Sequence, residues 1–230
     1  MDFTYLDIAK MIDHSLLSPT LTQDALEAGI QVALDYDVGS VCIMPYYMKR
    51  CAELLAGSTV KASTTIGFPH GGHTTAIKLA EAQQALADGC QELDMVVNIS
   101  KVLSEDWDYV HADIKAVVDA AQGQKVKVIF ENCYLEDKHR IKLCEICGQI
   151  GADWVKTSTG YGTGGAVDAD LILMRKHSPP EVQVKAAGGV RSLDRLLEVR
   201  ALGVTRVGAS RTVSMMNETR ERLGLLLPIG

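Results

Sequence analysis

Eight short apolar runs recur along the chain at intervals of 21 to 34 residues, each followed by an amphipathic stretch. This alternation constrains the fold more than any other feature. The runs cover residues 11–16, 41–44, 60–67, 92–98, 126–131, 154–158, 182–187 and 205–208. Most are continuous β-branched or aliphatic stretches, as in parallel strands covered on both faces. Between them, apolar periodicity predicts helices over 22–36, 47–55, 75–87, 107–121, 137–150, 168–177, 192–202 and 215–223. Thr22, Asp137, Asp168 and Ser192 stand at N-cap positions. Gly57, Gly89, Gly123, Gly151 and Gly203 follow helical patterns, as C-terminal caps prefer. The interval is that of a βαβ unit. Eight such units in 230 residues, with no Pro/Ser-rich linker, fit a single α/β domain over 1–230, a (β/α)8 TIM barrel. The alternative is a doubly wound open sheet, but no G-x-G-x-x-G follows an early strand and no P-loop is present.

Charge and cysteine usage narrow the function classes. The formal net charge is −6, which argues against nucleic-acid binding, since neutralising phosphates needs clustered Lys and Arg. It does not argue against a small anionic substrate, because a pocket can be basic within an acidic chain. No apolar run reaches the roughly 18 residues of a membrane span, and the first seven residues lack the basic and apolar segments of a secretory signal. A cytoplasmic protein without membrane partners is expected. The six cysteines then read as reduced core residues. Cys144 and Cys147 have redox spacing but lie late in a helical pattern, whereas reactive pairs sit at helix starts.

A barrel places its chemistry at the C-terminal ends of the strands. The sixth and seventh runs each carry a lysine, Lys156 and Lys185, a few residues before glycine-rich loops. Burying an ammonium is costly unless it is paired or neutralised. The structural reading of these lysines is a paired core cation, and Lys61, Lys125 and Lys127 also occupy strands. The glycines following Lys156 and Lys185, with Gly208 and Ser210 after the eighth run, add a second signal. Exposed backbone N–H groups in such loops cradle phosphate. Two ammonium groups about 4 Å apart repel by about 4 kcal/mol at an effective dielectric near 20. That lowers one lysine by about three pK units, to where a neutral amine can attack a carbonyl. Asp94, within an apolar run, is either a partner for a buried lysine, a proton relay, or both.

Five motifs taken together resemble the deoxyribose-phosphate aldolase family. They are Lys156-Thr157-Ser158-Thr159-Gly160, the stretch 184–191 around Lys185 and Gly188-Gly189, and Glu92-Leu93-Asp94 with Val97-Asn98. To these are added Ile66-Gly67-Phe68-Pro69-His70-Gly71 and Ile12-Asp13-His14-Ser15-Leu16-Leu17. They keep the family's order over nearly the whole chain. The resemblance implies a metal-independent class I aldolase that reversibly cleaves 2-deoxy-D-ribose 5-phosphate to acetaldehyde and D-glyceraldehyde 3-phosphate. It needs no cofactor, acts on small phosphosugars and aldehydes, and forms a homodimer. Carried over by motif, Lys156 forms the Schiff base, Lys185 lowers its pKa and Asp94 relays protons. Gly160, Gly188, Gly189, Gly208 and Ser210 contact the phosphate. Asp13, Arg191 and Arg211 support the site, and Cys42 lies near it. Tyr161 stands where some members carry a phosphate-binding Lys. The chain's last residues, 225–230, hold no Tyr such as assists proton transfer in some members. That apolar tail is also a candidate for packing between subunits.

Three rival readings compete with this one. His70 and His73 are spaced to share a metal, but no third ligand is evident where a catalytic zinc usually has three. A barrel that binds a phosphosugar without turning it over would have no use for two adjacent lysines. A transaldolase or fructose-bisphosphate aldolase lacks both lysine motifs in this order.

Overall fold

The computed structural model describes residues 3–225; residues 226–230, on which the expectation about the apolar tail falls, lie outside them. Eight parallel strands close into a barrel in chain order: β1 (Ile12–Leu16), β2 (Ser40–Ile43), β3 (Lys61–Ile66), β4 (Glu92–Val96), β5 (Lys125–Ile129), β6 (Trp154–Lys156), β7 (Gln183–Ala187) and β8 (Val204–Ala209), with β8 pairing back to β1. The helices are α1 (Tyr5–Ala9), α2 (Gln23–Asp35), α3 (Met48–Leu55), α4 (Thr75–Ala87), α5 (Ile99–Leu103), α6 (Trp107–Ala120), α7 (Asp137–Ile150), α8 (Asp168–His177), α9 (Leu193–Ala201) and α10 (Thr212–Arg222). All eight strands and the eight predicted helices are present, three of the helices with the predicted limits. The open sheet is excluded by closure.

Several local expectations are corrected. The short helices α1 and α5 were not anticipated, being five residues each and too short to show a period. Asp137 and Asp168 are the first helical residues rather than N-caps; those positions belong to Glu136 and Val167. Thr22 and Ser192 do cap, accepting from Ala25 N and Arg195 N. β4 and β6 are shorter than their apolar runs, because residues 97–98 and 157–158 already turn into the loops that carry chemistry. Among the described residues, no helix is long and apolar enough to cross a membrane.

Strand alternation separates two environments. Val41, Leu93, Met95, Val126, Val128, Val155, Val184 and Val207 pack outward against buried helix residues such as Leu26, Ile30, Ile114 and Val117. Such burial is worth about 1.5–3 kcal/mol per large aliphatic side chain and holds the barrel wall. The alternate positions point inward, since they touch across the lumen. Barrel interiors are usually layered with branched apolar side chains. Here the middle of the lumen is ionic.

Candidate active site

The inward positions of seven strands meet in one buried cluster. Asp94 on β4 accepts from Lys127 Nζ (β5) at 2.8 Å through Oδ1, and from both Lys156 (β6) and Lys185 (β7) at 2.7 Å through Oδ2. Lys185 Nζ also lies 2.5 Å from Asp13 Oδ2 on β1. Below them, Lys127 donates to Glu92 at 2.6 Å, and Arg206 (β8) bridges Glu92, at 2.8 Å, and Asp13. Ser40 donates to Asp13 at 2.7 Å. The Trp154 ring lies beneath, 5.2 Å from the Arg206 guanidinium carbon and 5.8 Å from Lys127 Nζ.

Register explains the convergence. Asp94 pairs with Lys127, which pairs with Trp154, and Lys156 pairs with Lys185, which pairs with Arg206. The last pairing depends on a register shift between β7 and β8, where Val184 pairs with Val204 but Lys185 with Arg206. Without the shift Lys185 would face Thr205, and Arg206 would fall in step with the outward Ala186. A bulge that re-aims a side chain is common beside active sites.

Counting carboxylate partners orders the three lysines. Burial disfavours every ammonium here. For Lys127 the carboxylates of Asp94, Glu92 and Asp13 outweigh it and hold the amine well above its ordinary range. Lys185 is also raised, with Asp13 and Asp94 overcoming burial. Lys156 has one partner, Asp94, and its pKa is lowered. The expectation that Lys185 lowers it is therefore corrected in emphasis: burial is the largest cause, and repulsion from Lys185 acts after the opposing pull of Asp94. Asp94 and Asp13 stay ionised because the surrounding cations overcome the burial that works against them. Three carboxylates thus face four cationic groups, and Lys156 is the cation least firmly held.

Lys156 borders a cavity of about 550 Å3 at the C-terminal ends of β1, β6, β7 and β8. Its walls include Gly160, Gly188, Gly189, Arg191, Gly208 and Ser210. All five expected substrate contacts, and the supporting Arg191, therefore share one cavity with the lysine. Gly188 and Gly189 have φ of +81° and +92°, which turns their backbone at the strand end. Arg191 is exposed, and no carboxylate pairs with it among the described residues. Arg211 is exposed at the start of α10 and does not border the cavity.

Tyr161 donates its hydroxyl to Leu17 O at 2.7 Å and meets Phe68 edge-on, the ring centroids 5.5 Å apart. It forms a wall between the first cavity and a more apolar one of about 430 Å3, lined by Met44, Tyr46 and Phe68 among others. Cys42 is buried and its thiol pushed up, burial being the main cause. His70 and His73 are both exposed, and among the described residues no group of three His, Cys, Asp or Glu is placed to hold a metal ion.

Several members of the cluster were missed from sequence. Lys127 was read as a possible paired core lysine, and Glu92 only as part of a motif. The signal available was the two-residue step from Glu92 to Asp94, which puts both on the same side of β4. Arg206 gave no comparable signal, since the bulge that turns it inward leaves no trace in the pattern. His14, buried with Nδ1 2.7 Å from Thr212 Oγ1 and its pKa pushed down to about 4 by burial, also borders the cavity.

Comparison with known proteins agrees with this geometry. The DeoC/LacD family aldolase profile matches residues 8–210. Deoxyribose-phosphate aldolase of Rhodopirellula baltica is 67% identical over 226 residues, covering 97% of this chain and 94% of that protein. The enzyme of the same name from Lysinibacillus sphaericus is 48% identical, covering 92% and 95%. Among solved structures, the tetrameric deoxyribose phosphate aldolase of Aeropyrum pernix superposes with a TM-score of 0.87 at 32% identity, covering 95% of this chain and 93% of that one. With a closed eight-stranded barrel, three lysines on one buried carboxylate and a matching profile over most of its length, the chain belongs to the DeoC/LacD aldolase family.

Proposed function

We propose that this protein cleaves 2-deoxy-D-ribose 5-phosphate reversibly to D-glyceraldehyde 3-phosphate and acetaldehyde, through a Schiff base on Lys156. Aldol cleavage of deoxyribose phosphate is the function of its family. The observation that carries the assignment is that, of the three lysines on Asp94, Lys156 alone has a lowered pKa and borders the cavity.

The neutral Lys156 amine adds to C1 of the open-chain sugar, and water leaves to give a cationic iminium. The C3 hydroxyl gives up its proton as the C2–C3 bond breaks. Its electron pair passes into the iminium, forming an enamine, and the C3–C5 fragment departs as glyceraldehyde 3-phosphate. The enamine carbon takes up a proton. Water then adds, releasing acetaldehyde and the free amine. Asp94, within hydrogen-bond reach of Lys156, exchanges protons with the amine as its charge changes. Lys127 and Lys185 keep Asp94 ionised, and Asp13 holds Lys185 in place beside it. The phosphate sits among the backbone N–H groups of Gly160, Gly188, Gly189, Gly208 and Ser210, with Arg191 offering charge; Arg211 has the weaker case. The supports are the shared cavity, the left-handed glycines, and the α10 N-terminus two residues after Ser210.

A homodimer in the cytoplasm completes this reading; the Aeropyrum pernix relative is a tetramer, and sedimentation of the purified protein decides between them. The central test is chemical. Acetaldehyde plus borohydride should leave a stable ethyl group on Lys156 and halt turnover. Modification at Lys185, or at no lysine, overturns the assignment. Cleavage assays with ribose 5-phosphate and fructose 1,6-bisphosphate beside the deoxy sugar settle the substrate.

A further inference from the structure

Directly after β5, Glu131 is a buried carboxylate that the chemistry above does not use. No cationic side chain pairs with it among the described residues. Its backbone is left-handed, φ 57° and ψ 62°, a conformation uncommon outside glycine and concentrated at functional sites. What it touches is the loop that follows Lys156. Thr159 N donates to Glu131 Oε1 at 3.2 Å, and the Thr159 hydroxyl donates to Oε2. The same hydroxyl accepts from Tyr161 N at 2.9 Å, and Tyr161 reaches Leu17 across the mouth. The loop then folds back over the carboxyl. A Cβ on Gly162 would lie 3.0 Å from Glu131 Cδ and 2.8 Å from Cys133 Sγ. Its far end is tied to β7 by Ala166 N donating to Gly188 O at 2.9 Å.

We infer that Glu131 is a positioning residue for phosphate recognition. It grips the loop at Thr159 and sets where Gly160 lies opposite Gly188 and Gly189. A buried carboxyl group satisfied by a backbone N–H and a hydroxyl is a stiff anchor, because leaving it half-satisfied is costly. The loop it fixes borders the phosphate side of the cavity, whereas Lys156 is fixed separately by Asp94. Glu131 therefore governs affinity for the phosphorylated end of the substrate and leaves the carbon–carbon chemistry untouched. This inference rests on the proposed phosphosugar cleavage.

The test compares 2-deoxyribose 5-phosphate with unphosphorylated 2-deoxyribose. Glu131→Gln should raise KM for the phosphosugar about tenfold with kcat held within about twofold. For the unphosphorylated sugar, kcat/KM should stay within about twofold of wild type. Thr159→Val should reproduce the pattern, Thr159→Ser should restore it, and the Glu131→Gln/Thr159→Val double variant should be no worse than Thr159→Val alone. An equal loss on both sugars, no loss on either, or an additive double variant overturns the inference. If Glu131→Gln does not fold, the Thr159→Val and Thr159→Ser pair reads the same contact from its other side. Wild-type protein inactive on the phosphosugar would defeat the proposed function instead, a result distinct from all of these.

Discussion

Lys156 and Lys185 donate to the same atom, Asp94 Oδ2, each at 2.7 Å. One carboxylate oxygen cannot fully compensate two ammonium groups. Lys185 has Asp13 as a second anion and Lys156 has none, so Lys156 is the group that gives up its proton.

Removing Lys185 leaves Asp94 Oδ2 to Lys156 alone and removes a neighbouring cation. Both changes favour charged Lys156. In Lys185→Leu, the rate of borohydride-trapped Schiff-base formation should therefore begin to climb at higher pH than in wild type. It should recover substantially once the amine is neutral. A rate profile lowered at every pH without displacement would instead assign Lys185 a direct part in proton transfer.

Lys156 itself carries a stability cost. Its folded pKa is below its ordinary value of 10.5, so the folded state binds the proton less well than the unfolded chain. That penalty is complete below the folded pKa and fades as pH rises to the unfolded value. Lys156→Met should abolish the ethyl adduct yet raise Tm near pH 7. The gain should shrink above pH 10. A lower Tm at neutral pH would mean that Asp94 depends on Lys156 more than on Lys127 and Lys185. Scanning calorimetry across pH reads this directly.

In the loop after β7, two adjacent glycines should differ. Both have positive φ, and a non-glycine residue there costs about 1–3 kcal/mol. At Gly188 a Cβ would also approach Gly165 Cα to 2.9 Å, a backbone atom that cannot rotate away. At Gly189 nothing lies within 4 Å. Gly188→Ala should thus lose more stability in urea and raise KM for the phosphosugar more than Gly189→Ala. Equal effects would show that backbone strain, and not the Gly165 contact, sets the requirement.

Thiol reactivity should be confined to one site. Cys133 is exposed, while the other five cysteines are buried. Burial pushes the Cys144 thiol up to about 11 and Cys147 well above its ordinary range, against any redox role for that pair. Iodoacetamide on the native protein should label Cys133 alone, as peptide mass mapping would show. Labelling of Cys144 or Cys147 ahead of Cys133 would contradict the burial pattern.

The barrel and its principal lysines were legible because they depend on local signals. The spacing of the apolar runs predicts the eight units, and Lys156 and Lys185 stand out in strands followed by glycines. Asp94 was legible as a charge in an apolar run, though not as the hub of three lysines, which needs strands four, five, six and seven to be brought round one lumen. Arg206 was hidden because a register shift between β7 and β8 decides which way it points. Glu131 was hidden because its importance lies in a contact to Thr159, 28 residues away, and in a left-handed backbone that a glutamate does not advertise. The N-caps of α7 and α8 were misplaced by one residue at Asp137 and Asp168, since an acidic first turn and an acidic cap look alike in sequence.

The ionic lumen also bears on what happens when substrate arrives. Asp13, Glu92 and Asp94 face Lys127, Lys156, Lys185 and Arg206, so a fully protonated barrel is one anion short. Empty, it loses a proton most readily at Lys156, whose pKa burial lowers. Occupied as proposed, it would hold a phosphate dianion in the cavity that Lys156 borders, and a positive nitrogen there would become favourable. The iminium that follows amine attack is such a nitrogen. The substrate would bring with it the counter-ion of its own intermediate.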